Sequence, residues 1–262
     1  MDLFFRDDEN RFTVGRATGF ARYREVLEGN FKEFFLVGFM TLVFLIPFGT
    51  GMAYAILSSS ILAVLAAAVA GGAISGPGVA CMYDIILRRL RNDKSDWWVC
   101  YKKSMRQNWR AAILPGIVQC VFLGALIFCG ALLWWAKLPV SIWTVAMLAF
   151  SSVLFLMVLS VWWPQVVLFD QRPGLQLKNA VFFILFHLGQ ALGAAVAQAT
   201  WWAIMFLFLP WTAFLIPLLS MWYILYLAVF ILYRPMDEAF HIEDQINERF
   251  PGQIQMEENE YD

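Results

Sequence analysis

The sequence predicts an all-α membrane protein: six transmembrane helices arranged as three hairpins, with interfacial amphipathic elbow helices on the cytoplasmic side. Three observations predict it. First, 61% of the 262 residues are hydrophobic and 15% charged, against roughly 45–50% and 25% in soluble chains. Second, no Asp, Glu, Lys or Arg occurs in 34–83, 111–136, 138–169 or 179–233. A spanning helix needs about 20 apolar residues to cross about 30 Å of hydrocarbon. The first and last gaps therefore each hold two spans joined by an uncharged turn, and the middle gaps hold one each. Third, Lys and Arg are enriched in cytoplasmic segments, and only Lys137 falls on the opposite side from the rest. The same composition excludes other classes. Aromatics at 17%, four cysteines and a net charge of -1 rule out a disordered chain, a disulfide-built secreted domain and a nucleic-acid binder.

Residues 1–33 are expected to form a cytoplasmic segment with no cleavable signal, because the first apolar stretch begins only after 33 charge-rich residues. Within it, Phe20 to Asn30 alternates basic and apolar residues at helical spacing and makes the first elbow. Span one covers 34–57, with a kink expected at Pro47, Gly49 and Gly51. Span two covers 59–83 and contains GGAISGPG, Gly71 to Gly78. Because Gly costs a helix about 1 kcal/mol and interior Pro about 3, this run is expected to interrupt the span, with Pro77 restarting a helix through Tyr83 and Asp84. Such a break serves either as a substrate site or as a packing point for small residues.

A basic cytoplasmic loop, 84–110, follows. Its Trp97 to Trp109 stretch is the second elbow, with Trp97, Tyr101 and Met105 recurring at i, i+4 and i+8. Spans three to six cover 111–134, 141–163, 181–207 and 211–233, completing a domain of 34–233. Residues 234–262 form an acidic cytoplasmic tail in which 237–250 is expected to make a short surface helix and the end beyond Pro251 to be disordered. YREVLEGN at Tyr23 to Asn30 lies over YKKSMRQN at Tyr101 to Asn108, and RPGLQLKN likewise ends in Asn179. With Asp84, Asp170 and Asp237 near the hairpin ends, this suggests three repeating units, although any cytoplasmic helix entering a membrane resembles it.

Two sets of candidate site residues emerge. Trp97, Tyr101, Lys102, Lys103, Arg106 and Arg110 form a basic, aromatic surface that either lies among anionic lipid headgroups or docks a cytoplasmic partner. On span five, His187, Gln190 and Gln198 fall within about 100° of one another on a face with Ala191 and Ala194. That stripe either lines a path for a proton or polar solute or bonds neighbouring helices. Gly76 and Pro77 join it through the break in span two, and Trp201 and Trp202 as the deepest tryptophans. Cys81, Cys100, Cys120 and Cys129 show no CxxC pairing and no His companions, so reduced thiols are expected, with no metal and no cofactor. HExxH, GxSxG and a phosphate-cradling loop are all missing from the sequence, and the chain is expected not to be an enzyme.

The run SGPGVACMYDIILRRLRND, Ser75 to Asp93, leads through an aromatic-basic stretch to Gln107, Asn108 and Trp109 and then a span. Together with LKNAVFFILFHLGQ, Leu177 to Gln190, it resembles the YesL family of integral membrane proteins of Gram-positive bacteria, over roughly residues 70 to 233. The resemblance implies an auxiliary role beside carbohydrate importers and no catalytic residues. The chain is thus expected in the bacterial plasma membrane, multi-pass, with both termini cytoplasmic. Its expected role is an auxiliary or partner-binding component of a carbohydrate transport system. The partners expected are the bilayer's anionic headgroups and either a transporter subunit or further copies of itself. The alternative is a small-solute channel or transporter using the span-five face and the broken second span.

Overall fold

The computed structural model describes residues 19–93, 95–135, 141–209, 211–212 and 214–249, less the side chains of 134–135, 217, 220 and 246–249. Among these residues the chain is helical, with no strand: α1 (Gly19–Leu57), α2 (Ile61–Leu90), α3 (Trp97–Trp135), α4 (Ile142–Leu168), α5 (Pro173–Phe186), α6 (Leu188–Leu207), one π turn (Ile216–Ser220), α7 (Trp222–Phe240) and α8 (Ile242–Arg249). α1, α2, α3, α4 and α6 are long and apolar enough to cross a membrane. The protein is therefore an all-α, multi-pass membrane protein. α7, at 19 residues, carries Arg234, Asp237 and Glu238 in its last two turns.

Short polar residues start α2, α3 and α4, satisfying orphan N–H groups. Ser60 accepts from the Ala63 amide ahead of α2, and Ser141 from the Trp143 amide ahead of α4. Asp96 Oδ1 accepts from the amides of Trp98 (2.9 Å) and Val99 (3.0 Å) at α3. Pro173 opens α5 with its φ already helical. α7 stops where His241 turns left-handed (φ 49°), and Asp237 Oδ1 accepts the Glu243 amide (2.8 Å) to start α8.

Three sequence expectations need correction. The elbows are not separate helices: 20–30 and 97–109 are the first turns of α1 and α3, each one unbroken helix of 39 residues, or about 58 Å. The second span is not broken, because α2 runs through Pro77 to Leu90. What the glycines of that run do is admit neighbours. A Cβ on Gly72 would lie 2.6 Å from the Gly116 carbonyl oxygen of α3, one on Gly76 would strike the Ala112 carbonyl, and one on Gly71 would lie 2.5 Å from Phe48 Cβ of α1. The resulting contacts on two sides outweigh the local cost of Gly and Pro. The fifth span, by contrast, is divided: His187 leaves the helix (φ -120°, ψ 41°) between α5 and α6.

α2 lies between α1 and α3, antiparallel to both, and α4 packs on α5 and α6. The main core gathers at the charge-bearing end and includes Tyr83, Ile86, Leu87, Trp163, Tyr226 and Leu232. A smaller cluster of Phe48, Met52, Val64, Ala68, Cys120 and Phe128 joins α1, α2 and α3 further along. Trp162, Trp163 and Trp222 are buried in the protein; the Trp134 and Trp135 side chains and Lys137 lie outside the described residues. So do residues 1–18 and the tail beyond Arg249.

Candidate functional site

The polar stripe of the fifth span is separated by the break at His187. Gln198 is buried, and its Nε2 donates to Ser160 Oγ of α4 (2.6 Å) and to the Ala194 carbonyl (3.3 Å). Ser160 in turn donates to the Leu156 carbonyl (2.6 Å). Gln198 thus ties α6 to α4. Gln190 is half-buried, and the half-buried His187 ring stacks on Phe183 at 4.7 Å. His187 lines a shallow groove of about 210 Å³ with Asn179, Phe182, Phe183, Phe186, Ala239 and Phe240. Gly76 sits in the α2–α3 contact, and Pro77 is half-buried within the unbroken α2. Trp201 packs on Tyr223 (5.2 Å) and Trp202 on Phe206 (6.1 Å).

Sequence reasoning missed Gln165 of α4. Its side chain is fully buried, and neither its oxygen nor its nitrogen has a hydrogen-bond partner among the described residues; Trp201 Nε1 is buried in the same state. Gln119 and Gln176 were also missed, and they receive the indole protons of Trp163 (2.7 Å) and Trp162 (3.4 Å). Gln119 and Gln165 each stand inside an apolar gap, which is the signal for them; Gln176, between Arg172 and Lys178, carries no such mark.

At the charge-bearing end, α1 and α2 are locked together. Arg89 donates to Glu33 of α1 (2.6 Å), to the Ser95 carbonyl (2.6 Å) and to the Asp93 carbonyl. Arg22 of α1 reaches the Leu90 carbonyl (3.2 Å) and Asn92. Arg88 bridges Asp84 (3.1 Å) and Asp93 (3.0 Å). Burial pushes the Asp93 carboxyl up, but hydrogen bonds from Ser95 and Arg88 outweigh it and hold the group below its ordinary range. Of the proposed repeat, Asn30 and Asn108 each donate one turn back, to the Val26 carbonyl (2.9 Å) and Ser104 Oγ (3.2 Å), whereas Asn179 turns to Gln171 (3.2 Å).

The first turns of α3 have two faces. Cys100, Tyr101 and Ser104 are buried and Trp97 and Met105 pack on the same core, so the aromatic side of this stretch is turned to protein, not to lipid. The other side carries Lys102, Lys103, Arg106 and Arg110, all exposed. At 100° per residue these cations cover about 100° of the helix. Trp98 and Trp109 border them, 41% and 46% exposed, with Lys102 Nζ 5.5 Å from the Trp98 ring and the Arg110 guanidinium 5.1 Å from the Trp109 ring. None of the four cations forms an ion pair among the described residues.

Comparison of the chain with family models, curated proteins and solved structures finds no match.

Proposed function

We propose that the protein is a non-enzymatic accessory component of a transport system in the bacterial plasma membrane, and that it binds an acidic cytoplasmic protein segment through the basic face of α3. The observation that carries this reading is an unbroken helix bearing four exposed cations that form no ion pair among the described residues. The apolar gap begins at Ala111, so Arg110 lies at the headgroups, while Lys102 and Lys103 lie about 12 Å further from the membrane along α3. That distance exceeds a Debye length of about 8 Å and favours a protein over the lipid surface as the partner of the lysines. The chain has six spans in three hairpins with both termini cytoplasmic, the sixth built from the π turn and Trp222 to Tyr233. The resemblance to the YesL family points to carbohydrate as the cargo of the system served.

One observation favours a second reading, a small-solute transporter: the buried, unpartnered amide of Gln165 and indole of Trp201 stand in apolar helices ready to bond a polar guest. Purification in mild detergent separates the two. For the accessory reading we expect a transporter subunit to co-purify in stoichiometric amount, to be lost in K102E/K103E/R106E, and to be retained in K102R/K103R. A solitary protein that moves solute in liposomes, with flux abolished by Gln165→Leu, contradicts it.

A further inference from the structure

The basic face of α3 has a candidate occupant within the same chain. We infer that residues 250–262 dock on Lys102, Lys103, Arg106 and Arg110, so that the acidic end of the chain occupies the face that binds the external partner. This inference deepens the docking reading above and rests on it for the competition, though not for the contact itself.

Charge comes first. The segment PGQIQMEENEYD that ends the chain holds Glu257, Glu258, Glu260 and Asp262 and no Lys or Arg. Four carboxylates therefore meet four cations. Residues 1–18 carry Asp2, Asp7, Asp8 and Glu9 but also Arg6, Arg11 and Arg16, so their attraction to a basic surface is largely cancelled.

Reach comes second. The described chain ends at Arg249 of α8, and α8 is held against the charge-bearing end of the bundle. Tyr233 donates to Glu243 (2.9 Å), Ile242 is buried in the main core, and the Arg91 charge acts on Tyr233. Arg91 caps α2, and α3 begins six residues later. From Arg249, eight residues to Glu257 extend up to about 26 Å and thirteen to Asp262 up to about 43 Å. A helix with its side chains is about 10–12 Å across, and Lys102 to Arg110 is about 12 Å along α3. Starting from the α7–α8 corner, the extended acidic run thus spans more than two helix diameters and more than the length of the basic face. A tether of this length holds the segment near its target at an effective concentration on the order of millimolar, which a partner must overcome.

The test is zero-length carbodiimide crosslinking of the full chain in zwitterionic nanodiscs, with crosslinked peptides identified by mass spectrometry. We expect amide links from Lys102 and Lys103 to Glu257, Glu258 or Glu260 within one chain, several-fold fewer in 0.5 M salt, and several-fold fewer in R106E/R110E, which keeps both reacting lysines. Links only to the amino-terminal acids, or only between differently isotope-labelled copies, overturn the inference. So does a yield unchanged in R106E/R110E. As a second measurement, a labelled peptide of residues 250–262 binds protein truncated after Arg249 at least about tenfold more tightly than the full chain; equal binding overturns the inference. Loss of partner capture with the intrachain links intact sinks only the accessory reading, and the reverse outcome sinks only the tail contact.

Discussion

Gln198 and Asp93 show how single polar residues act here. Gln198 bonds Ser160 across α4 and α6, and interhelical hydrogen bonds in membranes average about 0.6 kcal/mol with a maximum near 1.7. A double-mutant cycle of Gln198→Leu and Ser160→Ala, read by thermal unfolding in detergent, is expected to return a favourable coupling in that range; none at all means the bond is not made. Asp93 titrates below its ordinary range because Ser95 and Arg88 hydrogen bonds outweigh its burial. A depressed carboxyl contributes stability that is present above its unfolded-state pKa and lost as pH falls through the folded-state value. Chemical unfolding in acid should therefore show stability falling as pH drops through the carboxylate range, and Asp93→Asn should flatten that fall. Asp237 works in the opposite sense. Burial raises its carboxyl despite the Glu243 amide, so its contribution is complete in acid and declines as pH rises.

Continuity of the helices separates what the sequence disclosed from what it concealed. Charge-free stretches mark the long apolar helices, since lipid tolerates so little charge, and α4 starts and α6 stops within a residue of the expected places. GGAISGPG was misleading because local propensity speaks only for an isolated helix. Gly72, Gly76 and Gly116 bring α2 and α3 within backbone contact, and van der Waals packing of that kind drives helix association in a membrane. Gly76→Leu should therefore destabilise the protein by about 1–3 kcal/mol or more, as overpacking does, whereas an unchanged melting temperature denies the contact. His187 erred the other way. His187 itself is neither Gly nor Pro and only Gly189, two residues on, weakens the helix there, while the helical wheel that joins His187 to Gln198 assumes one helix. The elbow residues are right by type and wrong in surroundings: Trp97 and Tyr101 at helical spacing mark a buried face, and that face, shared with Cys100 and Ser104, meets the core of this protein and not lipid.

For the whole molecule, the unbroken α1, α2 and α3 carry a membrane bundle into a charged extension beyond it. There Arg22, Glu33 and Arg89 are used up in holding α1 to α2, and the cations of α3 are left facing outward. The proposed role depends on that extension lying in the cytoplasm, where an acidic partner or the acidic end of the chain meets it. Labelling of introduced cysteines in intact cells tests this most directly, with Arg106→Cys and Lys137→Cys in a chain whose own four cysteines are replaced by serine or alanine. The account predicts that a membrane-impermeant maleimide labels position 137 in intact cells and position 106 only after permeabilisation. Labelling of position 106 from outside, with position 137 protected, contradicts it.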